Sequence, residues 1–205
     1  MMGRTHKAGG CLAMLVTYSL LQKHNFMPDV HPLVQLLLMY PAASWGSTMP
    51  DLDQNFNSIP EKTPVSIAVH KLLHLGKVRH RSWQTHSLFV MCMVIGMLYL
   101  MVYCASQYTW FGLTTESCKI LTLLVTGLAV GIGSHLLLDL MTYDGIQLTP
   151  GVWIRFFRFD IFKTGTTYEK IVRVLLYIAC AVTFVYICVN STDIRTFIEE
   201  VKQYV

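Results

Sequence analysis

The stretch "SHLLLDLMT" (134–142) places His135 and Asp139 four residues apart at the end of a long apolar run. On a helix, positions i and i+4 are neighbours on one face, so the imidazole and the carboxylate can point at one ion or bond to each other. Three further stretches carry the same residue types. His6 precedes the first apolar segment, "MPDLD" supplies Asp51 and Asp53, and "RHRSWQTHS" supplies His80, Arg81, Thr85 and His86. Imidazole suits zinc and iron, and carboxylates widen the choice to manganese or magnesium. Together these side chains could hold one divalent ion or two.

Each group also has a plainer use. His135 and Asp139 could form a hydrogen-bonded structural pair. Asp51 or Asp53 could cap a following helix. His80 and His86, six apart, diverge on a regular helix, and converge only if the chain breaks at a loop-to-helix junction around 82–85. Thr85 or Ser87 could cap the helix that follows. His6 could belong to a basic N-terminal patch that touches anionic lipid. His70 and His74, also four apart, could form a surface metal pair, but the plainer reading without a metal is preferred. None of the six cysteines lies in a CxxC pair. They read as free thiols acting as small apolar residues, which argues against a structural zinc cage.

These residues need a scaffold, and the composition says which kind. The 205 residues are 53% hydrophobic and only 14% charged, against about 25% charged in a typical soluble domain. Mean hydropathy is +0.46. The chain therefore reads as one membrane-embedded, all-α helical bundle spanning residues 1–205. Apolar segments lie at roughly 9–22, 32–48, 87–108, 118–143 and 170–190. The last three reach the length of about 20 residues that a span needs, while the first two are short. Pro64 opens a short amphipathic helix within 61–78. "GVWIRFFRFDIF" (151–162) reads as a strand pair or an interfacial segment. The N-terminus lacks a cleavage-site pattern and reads as a retained helix.

With five spans, all but Lys23, Lys119, Arg195 and Lys202 of the 16 basic residues fall on the N-terminal side. The positive-inside rule makes that side cytoplasmic. All four His/Asp clusters fall there too, at helix ends that antiparallel neighbours can bring into one layer. The net charge of +4 shows no basic stripe with interleaved aromatics, so nucleic acid is not expected as a partner.

The order of His6, "PDLD", "HRSWQTHS" and "SHLLLDLMTYDG", followed by "KTGTTYE" (163–169), resembles the YdjM-like inner-membrane proteins over residues 3–170. These are described as membrane-bound metal-dependent hydrolases, some noted as LexA-binding. Ser82 and Trp83 stand where that family carries a shorter, Gly-containing turn, and Thr166 stands in place of a Ser. The resemblance implies metal ligands at His6, Asp51, Asp53, His80, His86, His135 and Asp139, with Glu169 a ligand or general base. The His-x-x-x-Asp spacing also looks like that of the zinc phospholipases C.

The expectation is a membrane-bound, metal-dependent hydrolase of the bacterial inner membrane, zinc being the first choice of ion. Its substrate is an anionic or amphiphilic phosphoester or lipid-linked compound, and membrane lipid is its surrounding. The ion lowers the pKa of a water, and Asp53 or Glu169 takes the proton. Arg81, with Arg155, holds an anionic oxygen. Ser134 and Thr142 orient ligands. The alternative is a non-catalytic, metal-stabilised scaffold or sensor that binds a cytosolic protein partner. An ion transporter fits less well, because the polar residues gather at one end rather than at the midplane.

Overall fold

A computed structural model describes residues 3–55, 62–108, 112–142, 144–149, 152–154 and 165–190. The chain is mainly helical. In order come α1 (Gly3–Lys23), α2 (Pro32–Gly46), a 3-10 turn (Pro50–Asp53), α3 (Pro64–Leu75), the short α4 (Trp83–His86), α5 (Leu88–Tyr108), α6 (Thr115–Leu140), strands β1 (Ile146–Thr149) and β2 (Val152–Ile154), and α7 (Thr167–Asn190).

Helix α6 is the element around which the rest is arranged. Its Leu123 packs with Met14, Leu15 and Tyr18 of α1, Met39 and Ala43 of α2, and Ile187 of α7. In its last third, Ile132 and Leu136 pack with Met91 of α5 and Ile146 of β1. Helices α5 and α7 each give one buried residue to this centre, Met91 and Ile187, and turn large apolar side chains outward, among them Met97, Leu100, Tyr103, Leu175, Val182 and Tyr186.

Three helices, α5, α6 and α7, are long and apolar enough to cross a membrane, where five spans were expected. The first two apolar segments do form helices. Helix α2 has 15 residues, roughly 22 Å at 1.5 Å per residue, short of a hydrocarbon core of about 30 Å. Helix α1 is longer, but its first turns hold Arg4, Thr5, His6, Lys7, Gly9 and Gly10, which lowers its apolarity where the bundle needs polar chemistry.

The smaller elements match their local sequence. Thr63 caps α3 by accepting the Ser66 N–H at 3.1 Å, with Pro64 at the first position, where its missing N–H costs nothing. The strand-pair reading holds for the start of 151–162, since β2 pairs antiparallel with β1. The rest of that stretch lies outside the described residues. Ser87 bridges to Gln147 of β1 and donates its hydroxyl to the Leu148 carbonyl at 3.2 Å, so the hairpin sits over the start of α5.

Candidate metal centre

Helices α2 and α6 approach through their backbones. A Cβ on Gly131 would lie 2.2 Å from the Ala43 carbonyl oxygen and 2.8 Å from the Ser47 nitrogen, and one on Gly127 would lie 2.5 Å from the Met39 carbonyl oxygen. Small residues four apart allow this contact between apolar helices. One turn beyond Gly131, the same face carries His135. The close approach brings the Ser47 carbonyl oxygen to 2.7 Å from His135 Nδ1. A carbonyl only accepts, so Nδ1 carries the proton and Nε2 presents its lone pair to the interior.

That lone pair faces a ring of side chains from four stretches of chain. His135 Nε2 lies 3.4 Å from Asp139 Oδ2 and 4.0 Å from Asp51 Oδ1. His86 Nε2, from α4, lies 3.6 Å from Asp139 Oδ2 and 3.8 Å from Asp51 Oδ1. His6 Nε2, from α1, lies 3.4 Å from Asp139 Oδ1, and its ring stacks on that of His135. All five residues are buried. The Nε2 atoms of His6, His86 and His135 have no hydrogen-bond partner. Buried polar atoms are nearly always satisfied, so three such nitrogens aimed at two carboxylates require an explanation. The donor set of imidazole nitrogens and carboxylate oxygens is that of a divalent transition-metal site. His6, Asp51 and His135 lie close enough to share an ion, as do His86, His135 and Asp139. The residues present therefore fit the implied metal.

Asp53 stands behind this ring. Its Oδ1 accepts from His80 Nδ1 at 2.7 Å. Its Oδ2 accepts from the Arg81 N–H at 3.0 Å and from the Thr85 hydroxyl. Thr85 Oγ1, its own proton spent on Asp53, accepts from His86 Nδ1 at 3.0 Å. The chain His86–Thr85–Asp53 fixes the tautomer that leaves His86 Nε2 toward Asp51 and Asp139, the arrangement by which outer carboxylates orient metal-binding histidines. Asp51, Asp53 and His80 also offer atoms close enough to share an ion, but the Asp53 oxygens already have these partners. His80 is 44% exposed and forms the mouth of the site.

Arg81 adopts φ +58°, a left-handed conformation uncommon outside glycine. The turn separates His80 from α4 so that both histidines reach Asp53, the junction expected between them. It also lays the guanidinium 3.3 Å from Asp139 Oδ1 and 2.9 Å from Asp144 Oδ2.

The electrostatics follow from burial and pairing. Burial alone would raise the Asp51 carboxyl, but His86, His135 and His6 outweigh it and bring the pKa down to about 2. Asp53, opposed by burial but held by His80, His86 and Thr85, also lies well below the usual carboxylate range. His86 is disfavoured as a cation by burial, yet Asp51 and Asp53 raise it to about 9.

Glu169, at the start of α7, is buried but stands apart from these three groups. It accepts from the Thr5 hydroxyl at 2.8 Å and from the Gly165 N–H at 2.7 Å, tying α7 to α1 one residue before His6. Ser134 and Thr142 bond to the backbone of their own helix turn, at Gly131 and Asp139, rather than to ligand side chains. Arg155 lies outside the described residues. Sequence reasoning missed Thr5, Asp144, the Ser47 carbonyl and the Gly127–Gly131 contact. The last had a signal, the "GLAVG" spacing one turn before His135.

A family model described as "YdjM inner membrane protein" matches residues 1–196. No curated protein and no solved structure matches the chain.

Proposed function

The chain belongs to the YdjM inner membrane protein family, and from that premise we propose that it is a membrane-bound, metal-dependent hydrolase of phosphoester or lipid-linked substrates. The observation that carries the reading is the convergence of three buried, unpartnered imidazole nitrogens on Asp51 and Asp139. His6, Asp51, His86, His135 and Asp139 would hold the metal, zinc by preference and manganese or magnesium otherwise. When bound, a divalent ion of this class supplies Lewis acidity and a nucleophile at neutral pH.

The chain's own residues do the rest. The Ser47 carbonyl and the Thr85–Asp53 pair hold two imidazoles in the tautomer that leaves Nε2 free. His80, exposed on one side, donates to Asp53 Oδ1 on the other and braces the carboxylate that orders Thr85 and the Arg81 turn. Arg81 places positive charge at the edge of the centre, where an anionic substrate oxygen gains most from it. The excess of Lys and Arg around the site supports a cytoplasmic-side location. The test is metal content of detergent-purified protein prepared without chelator, wild type beside H135A/D139A. Bound metal lost in the variant, with phosphoester turnover that a chelator abolishes and the ion restores, supports the reading. A metal-free wild type that takes up neither zinc nor manganese overturns it. Bound metal without turnover on any phosphoester or lipid substrate favours the non-catalytic scaffold.

A further inference from the structure

Helix α3 is docked the wrong way round for a water-exposed helix. Its buried residues are Ser66 and His70. The Ser66 hydroxyl accepts from Trp45 Nε1 at 3.0 Å, and His70 Nδ1 donates to the Leu52 carbonyl at 2.8 Å. The opposite face carries Val65, Ala68, Leu72 and Leu75, spaced i, i+3, i+7 and i+10, all exposed. Leu72 and Leu75 are 67% and 80% exposed. An amphipathic helix normally buries its apolar stripe against the protein. Here the polar side meets the protein and the apolar stripe has no protein cover among the described residues.

The position of α3 says what covers that stripe. Besides Trp45 it meets the turn Pro50–Asp53, which holds Asp51 beside His86. His86 ends α4 just before α5 begins, and Asp139 lies in the last turn of α6. Both α5 and α6 are candidate membrane spans, so α3 lies at the level where they leave the bilayer. Trp83, 43% exposed at the start of α4, is a residue type enriched at that level. Lys71, Lys77 and Arg79 are exposed on and after α3 and enter no ion pair among the described residues, as an anionic lipid surface would require.

We propose that α3 is a membrane-interfacial helix, immersed through Val65, Ala68, Leu72 and Leu75 in a bilayer of anionic lipid, which sets the mouth of the metal centre among lipid headgroups. Beyond its C-terminal end a cleft of about 400 Å³ is lined by His74, Val78, Arg79 and His80, with Asp53 and Asn55.

The test is photo-crosslinking of the full chain in nanodiscs of phosphatidylglycerol and phosphatidylethanolamine. A photoreactive amino acid replaces Leu72, and in a parallel sample Met97, whose side chain is exposed on the candidate span α5. The expected result at Leu72 is a mass increase of one phospholipid, as at Met97, and loss of that adduct in L75E/V65E. A crosslink to a second copy of the chain overturns the proposal in favour of a dimer contact. A lipid adduct at Met97 with none at Leu72 also overturns it. Neither readout depends on metal, so the hydrolase reading stands or falls separately.

Discussion

The rings of His6 and His135 stack with centroids 3.8 Å apart and planes 18° from parallel. Two imidazolium ions at that separation in a buried site would repel strongly. The pair is therefore built for neutral rings that give their Nε2 lone pairs away, and α1 is held against α6 by the same contact. The predictions below follow from this neighbourhood.

Asp53→Asn tests the supporting role of Asp53. The amide keeps the shape but loses the charge that orders His80, the Arg81 N–H and Thr85. Metal affinity is expected to fall by roughly 10–100-fold, with the ion still binding at high concentration. Competition with a fluorescent chelator measures this. Unchanged affinity would remove Asp53 from the site's support.

The pKa of His86 is raised to about 9, so the metal-free protein holds a proton there at neutral pH. An ion taking Nε2 must release it, and calorimetric titrations in buffers of different ionisation heat should detect about one proton released near neutrality. The release should fade as pH rises through about 9. In the metal-free protein this pairing stabilises the fold fully below the unfolded value of about 6.5 and is lost through that upper range.

Gly131→Ala is expected to cost about 3 kcal/mol or more, because the added carbon meets backbone rather than a yielding side chain. Thermal unfolding in detergent reports the loss, and metal content should fall with it, since the Ser47 carbonyl must withdraw from His135. Gly133→Ala, which meets nothing within 4 Å, is the control that should leave both unchanged.

Glu169→Ala separates bracing from chemistry. Losing its bonds to Thr5 and Gly165 should lower stability by about 1–3 kcal/mol, while metal content per folded molecule is retained. If turnover falls much further than the folded fraction does, Glu169 also acts in the reaction. If metal is lost at full stability, it is a ligand instead.

The stretches that build the His/Asp cluster were legible because His and Asp are rare and costly inside apolar segments, and their spacing survives folding. Helix α3 was legible from Pro64 and the pattern after it. The division of labour between Asp51 and Asp53 was not. In an extended strand, residues two apart share a face, but the 3-10 turn has about three residues per turn and rotates them roughly 120° apart. Asp51 thus meets the ring and Asp53 turns back to His80 and Thr85. Three of the five apolar segments form helices long and apolar enough to span, and the first two, already short in the sequence, form helices packed on α6, because hydropathy cannot tell a helix bathed in lipid from one packed on its neighbours. Position 169 follows the Gly-containing turn in sequence, and only the fold shows its carboxylate closing that turn.

Asp139 is where the chain's ends are reconciled: one of its oxygens faces His6 and Arg81, the other His86 and His135. A ribosome delivers His6 first and Asp139 some 130 residues later, several seconds at ordinary rates of synthesis. Asp51 follows within that interval, but the oxygen 3.4 Å from His6 Nε2 arrives only with Asp139, and the loop that must close is most of the protein. Closure of the centre therefore requires the start of α1 and the last turn of α6 to lie at the same end of the bundle, and an α6 threaded in the opposite sense would keep His6 and Asp139 apart.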